Sequence, residues 1–216
     1  DHLDLHSFPT RRSSDLEDPL KTKLTMQKYG VRFSQIDSAY PLSGNEGFYN
    51  GVPYVLKSIP WAKLVDCPNI ATTDGLKKPS GFSDKEALEL MKRAYGIIVE
   101  TAEIYEININ IEVHGYFTTN PDLLDEMLNF VKSDRLGLNL DTGNSFIAGQ
   151  DPVEFCRRFI DKVKHVHIKD VSKDLADAMR GKDTGIGISH SAIGDGVNAD
   201  NIRKIIAMLR DHGYSG

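Results

Sequence analysis

Residues 107–114, ININIEVH, alternate isoleucine with asparagine and then end in an acid and an imidazole. Alternation with a period of two predicts a strand. Parallel barrels and doubly wound sheets gather their chemistry-bearing groups at the carboxyl ends of such strands. Two later runs repeat the plan: LNLD ends in Asp141, and HVHIKD carries His167. Glu112 and Asp141 stand 29 positions apart, Asp141 and His167 26. Each interval holds one strand and one crossover helix. The expectation is an α/β fold, a parallel (β/α) barrel in which Glu112, Asp141 and His167 converge from neighbouring strands. Two carboxylates and an imidazole suit Mn²⁺, Mg²⁺, Co²⁺ or Zn²⁺. A cation so held polarises a carbonyl and a hydroxyl and favours an enediolate. The competing reading makes Asp141 the cap of the turn after its strand, with Glu112 and His114 as polar rim residues.

The rest of the chain supplies strands and helices in alternation. Residues 18–29 predict a helix stopped by Gly30, residues 31–37 a strand, and residues 38–51 a long polar loop. Pro53 and Pro60 predict only a short helix between them and Lys63. A strand is expected over 64–72, shortened by Pro68. Ser83 and Glu86 form a capping box that opens the strongest helix, with Ala87, Leu90, Met91, Ala94, Ile97 and Ile98 as its apolar stripe. Asn120-Pro121 and Asp151-Pro152 open two more helices. Strands are expected at 136–140 and 163–168, and a short sixth within 184–190. Asn198 or Asn201 caps a last helix.

Six strands fall short of the eight that close a barrel. The chain therefore reads as an incomplete (β/α)8 barrel over residues 17–216, with the first and eighth strands missing on either side of one seam. Residues 1–16 have neither helical nor strand period, and residues 4–16 resemble the translation of a sequencing adapter. They are expected to be a non-native tail that carries no function.

Composition excludes little but directs the search. No run approaches 18 apolar residues, so no membrane span is expected. A net charge of −5, with acids and bases interspersed, argues against a nucleic-acid partner. Cys67 and Cys156 lie far apart in no metal motif and read as free thiols of a cytoplasmic protein. The glycines at 181–196 do not form a dinucleotide fingerprint, so no nucleotide cofactor is expected.

The runs IEVHG, LNLDTGN, HVHIKD and GDG resemble the xylose isomerase-like TIM barrels, over roughly residues 31–216. That resemblance implies metal ligation by Glu112, Asp141 and His167, with Glu112 also moving a proton. A fourth ligand, a glutamate on the eighth strand, would fall beyond Gly216. Asn144 stands where many relatives carry a substrate-contacting or second-metal histidine, and it is expected, with His114 and Lys169, to contact substrate. Asp195, between two glycines, fits the family's glycine-acid-glycine turn, as loop shaping or as catalysis. The implied activity is a divalent-metal-dependent isomerase or epimerase of a small sugar, polyol, keto sugar or sugar phosphate. A dehydratase on the same site is the alternative, and an apurinic-site endonuclease is disfavoured by Asn144. A homo-oligomer is compatible with the full-length protein, while a chain lacking two strands is expected to be poorly stable and inactive.

Overall fold

The computed structural model describes residues 18–181 and 187–216. The segment set apart as a non-native tail lies outside these residues, as do residues 182–186. A first helix, Pro19–Lys28 (α1), is opened by Asp18, whose Oδ1 accepts from the Leu20 and Lys21 amides. It ends before Gly30, whose φ of +64° suits a residue without a Cβ.

The first strand is Ile36–Pro41 (β1), later in the chain than residues 31–37. Its polar residues disguise it, because Ser38 is fully buried and pairs its hydroxyl with that of Ser58 at 2.8 Å. A turn of π-helix, Gly47–Gly51, then leads into Val52–Leu64 (α2), which runs straight through Pro60. Proline in a helix interior costs about 3 kcal/mol. Here Val52, Val55, Ile59 and Ala62 bury one face against the sheet and its neighbours, and that packing offsets the cost.

Asn69–Thr73 (β2) begins just after Pro68, which keeps the imino nitrogen out of the ladder. Asp84–Tyr105 (α3) has its capping box: the Glu86 amide donates to Ser83 Oγ, and the Ser83 amide to Glu86 Oε2. The buried stripe is rotated from the expected one. Leu88, Tyr95 and Val99 face inward with Ala87, Met91, Ala94 and Ile98, while Ile97 is exposed. The Tyr95 hydroxyl makes this possible, for it reaches Thr72 Oγ1 at 3.0 Å and so can be buried without loss.

Asn108–Glu112 (β3) follows, then Pro121–Leu128 (α4), capped by Asn120, and Leu136–Asp141 (β4). Next comes a helix the sequence did not suggest, Thr142–Ile147 (α5), and then Pro152–Phe159 (α6), capped by Asp151. Val163–His167 (β5) is followed by Lys173–Met179 (α7) and Ala199–Asp211 (α8). Asn198 precedes α8 but does not cap it with its side chain; its amide donates to Thr142 O instead. Among the described residues there are five strands, and residues 187–190 are not one.

All neighbouring strands pair in parallel, in the order β1-β2-β3-β4-β5. Parallel order with helices between successive strands is a partial barrel architecture. The sheet curls: Ser34, just ahead of β1, meets His165 of β5 at 3.2 Å although three strands separate them in the sheet.

Its two faces differ in kind. Ile70, Ile109, Ile111, Leu136, Leu138 and Leu140 point outward and are buried beneath the helices. Residues between them point into the curl and are mostly polar: Asn69, Asn108, Asn110, Glu112, Asn139 and Asp141. This explains the alternation at residues 107–113. A parallel strand buried on both faces ordinarily reads as a continuous apolar run, and here one buried face is a polar network.

Candidate metal centre

The histidines owe their direction to a β-bulge. Leu138 pairs with Val163, but Asn139 pairs with His165, so Lys164 is an extra residue on β5. Strict alternation would send Val163 the same way as His165. The bulge instead lets Val163 and Val166 pack on the apolar core while His165 and His167 face the interior. Gly137 makes room for the bulge, since a Cβ there would fall 2.3 Å from Lys164 Cγ.

Glu112 ends β3, Asp141 ends β4 and His167 ends β5. One ligand atom from each lies within 4.8 Å of the others. Glu112 Oε1 is 3.0 Å from His167 Nδ1. Two ligands held at right angles about 2.1 Å from one cation lie about 3 Å apart. Both carboxylates are buried and the imidazole is half-buried, so the donor set is hard oxygen with one nitrogen in a shielded place. These residues fit a divalent cation.

Both readings of Asp141 hold together. Its Oδ1 accepts from the Gly143 and Asn144 amides at 2.9 and 2.7 Å and caps α5. That leaves one oxygen to serve a cation, with its angle fixed by the cap.

The charges fix the resting states. Burial pushes Glu112 up, but the hydrogen bond and charge of His167, with His114 and Lys169 nearby, hold it below the usual carboxylate range. Burial pulls His167 down, and Glu112, Asp141 and Asp37 more than restore it. Asp141 stays raised because its burial outweighs the pull of Lys169.

A polar chain supports the cluster from below. The Asn139 amide nitrogen lies 3.2 and 3.4 Å from the two ring nitrogens of His167. Asn139 Oδ1 accepts from His165 Nδ1 at 3.1 Å, which leaves His165 Nε2 to accept from Ser34. Burial, and then the charge of His167, press His165 down to about 4, so it is a neutral member of the deeper layer.

The residues expected to meet substrate are placed as follows. Lys169 Nζ donates to Asn144 Oδ1 at 2.8 Å, and Asn144 Nδ2 donates to Val113 O at 2.8 Å. Asn144 is 3% exposed and has both ends of its amide engaged. His114 is half-buried beside the cluster, and its amide donates to Thr118 Oγ1. Asp195 is exposed; the acid that shapes its turn is Asp170, which accepts from the Val171, Gly194, Gly196 and Asn198 amides.

Two groups at the centre were not singled out from the sequence. Asn139 left no trace beyond its inward register. Asp37 carried the same signal as Glu112 and Asp141, an acid near the end of an alternating run. Its charge is felt by Glu112, His167 and Tyr54.

A family model described as the xylose isomerase-like TIM barrel matches residues 6–216, including most of the expected non-native tail over residues 1–16. The chain is 29% identical over 112 residues to an inosose dehydratase of Lacticaseibacillus casei, covering 49% of this chain and 38% of that protein. It is 32% identical over 111 residues to the rhizopine catabolism protein MocC of Rhizobium meliloti, covering 50% and 34%. The chain thus spans well under half the length of these curated relatives. Among solved structures, a D-tagatose 3-epimerase-like protein superposes with a TM-score of 0.75 at 23% identity, over 92% of this chain and 73% of that one. A xylose isomerase-like TIM barrel protein from Mycobacterium smegmatis, in complex with magnesium, gives 0.69 at 19%, over 96% and 71%. With five parallel strands carrying a cation-binding triad at their carboxyl ends, the chain belongs to the xylose isomerase-like TIM barrel family.

Proposed function

We propose that the intact protein is a divalent-metal-dependent dehydratase of a small keto polyol of the inosose class. The observation that carries the reading is the convergence of Glu112, Asp141 and His167 on one point. The curated relatives named inosose dehydratase turn that site toward loss of water rather than rearrangement. A divalent cation, when bound, draws electron density from the substrate carbonyl and acidifies the neighbouring C–H.

Glu112 takes the proton α to the carbonyl, and the electron pair left behind becomes a C=C bond as the β-hydroxyl departs. The same carboxyl returns the proton to that hydroxyl, so one water leaves and the carboxylate is regenerated. His167 and Asp141, the latter fixed by its cap, would hold the other two sides of the cation site. Lys169 and His114 meet substrate oxygens at the rim. Asn144 serves by holding Lys169 against the end of β3.

Epimerisation or isomerisation shares the first step and differs only in returning the proton to carbon. Product analysis separates them. The intact protein, loaded with Mn²⁺ and given an inosose, is expected to yield a product lighter by one water. Glu112→Gln is expected to lower kcat at least a hundredfold. Turnover of neither inososes nor keto sugars by the loaded protein, or full activity in Glu112→Gln, would overturn the reading.

A further inference from the structure

The inward face carries a second feature, one row across from the cation cluster. Asp37 of β1 pairs with Ala71 of β2, and Ala71 pairs with Asn110 of β3. Asp37 and Asn110 therefore flank one alanine on the interior side of the curled sheet. Asp37 Oδ1 and Asn110 Oδ1 are both shielded from solvent, and neither has a hydrogen-bond donor. Asn110 is fully buried, and its other amide end is fixed by Gln35 Oε1 at 3.0 Å. Neighbouring strands are about 4.8 Å apart, so the flanking residues stand about 10 Å apart across a methyl group. Their side chains therefore approach the same stretch of the interior from opposite sides, with Gln35 reaching across to Asn110.

A shielded acceptor without a donor is costly, and two in one row make a niche that only a donor completes. The Asp37 carboxylate is costlier still, because burial and the Glu112 charge both oppose its ionisation and push it up to about 6. An asparagine would fill the same space without that charge, so packing does not call for an acid here.

We infer that Asp37, with Asn110 beside it, is a substrate-binding residue that accepts a hydroxyl of the polyol and thereby sets which carbon is presented to Glu112. This rests on the function proposed above. The cation cluster takes the substrate's acceptor oxygens, and the niche takes a donor from the opposite side of the ring. Two anchors of opposite polarity, on β1–β3 and on β3–β5, fix the orientation of a ring that carries hydroxyls all round.

The test uses the intact protein loaded with Mn²⁺, calorimetric titration with myo-inositol, and a set of its monodeoxy analogues. Asp37→Asn is expected to bind myo-inositol at least tenfold more weakly than the parent. One monodeoxy analogue is expected to bind parent and variant equally, because it lacks the hydroxyl that Asp37 accepts. Mn²⁺ affinity, read by competition with a fluorescent chelator, is expected to stay within twofold. Asp37→Asn is also expected to melt above the parent in the absence of ligand, since it removes the charge beside Glu112; Asp37→Ser replaces it in the titrations if its expression fails.

Unchanged myo-inositol affinity in the variant would overturn the inference and assign the niche to an ordered water. So would an equal penalty across every deoxy analogue. A parent that binds Mn²⁺ but no polyol and turns over no inosose would instead overturn the proposed function, and the inference with it.

Discussion

At the residue scale the instructive contrast is between two acids with different burdens, half-buried Asp37 and fully buried Asp74. Asp37 lacks a donor for one oxygen, whereas Asp74 accepts from the Phe117 and Thr118 amides and the Thr118 hydroxyl at 2.7, 3.3 and 2.9 Å. Asp74 locks the loop after β2 to the loop after β3, where the backbones pass so closely that a Cβ on Gly115 would collide with Gly75 O. Complete burial nonetheless raises Asp74 to about 6, because desolvation outweighs its donors. The sign for stability follows from a folded-state value above the unfolded one, near 3.8. Between those values the folded chain holds the extra proton, so this acid's contribution falls as pH rises from about 4 to 6 and is level above. Measured against Asp74→Asn by urea denaturation, the parent's relative stability is expected to drop by about 2–3 kcal/mol across that window. A difference independent of pH would show that the carboxyl keeps its ordinary value in the fold.

At the scale of elements, local chemistry set the helix starts and tertiary contacts set the strand ends. Ser83, Asn120 and Asp151 cap the helices that their side chains announce, and Asp18 caps the first helix, because a cap bonds only to its own first turn. Asp141 ends β4 and also caps α5, a helix so short, and with so many small residues, that its sequence suggests only a turn. Strand β1 lies later than its alternation predicts because the polar Ser38 is buried against Ser58, a partner 20 positions away. The segment after β5 is governed by Asp170, whose four backbone donors outweigh its burial and hold its carboxyl below the usual range. Asp170→Ala is expected to cost about 2–4 kcal/mol in chemical denaturation, as four amides lose a charged acceptor. That stabilisation is present at neutral pH and is lost as pH falls below about 4, the opposite sign to Asp74. Loss of less than about 0.5 kcal/mol would show that water replaces the carboxylate freely.

For the whole molecule, the cation and the fold are linked. Glu112, Asp141 and His167 sit on three strands, so a cation that binds them stabilises the sheet that assembles them. Mn²⁺ or Zn²⁺ at a hundred times its dissociation constant is expected to stabilise the protein by about 2.7 kcal/mol, read as a rise in Tm that a chelator reverses. His167→Ala is expected to abolish that rise. A Tm insensitive to divalent ions would show that the cluster holds none tightly. Among the described residues no helix is long and apolar enough to cross a membrane, and the apolar surface of the sheet is spent on its helices.

By itself the sequence determined the triad Glu112, Asp141 and His167, the parallel order that brings them together, and the caps Ser83, Asn120 and Asp151. Each depends on spacing or on contacts within a few residues, which the linear order records. Only the tertiary structure decided which way β5 faces, since the bulge at Lys164 is defined by pairing with β4. It also decided that Pro60 lies inside a helix, that Asn144 holds Lys169, and that Asp37 shares the interior with the triad. Those outcomes depend on partners 25 to 131 positions away, as the bonds from Lys169 to Asn144 and from His165 to Ser34 show. Strand β3 thus has two sides with different origins. Its isoleucines follow from the need to bury one face, and its asparagines and Glu112 take their meaning from strands that meet them only when the sheet curls.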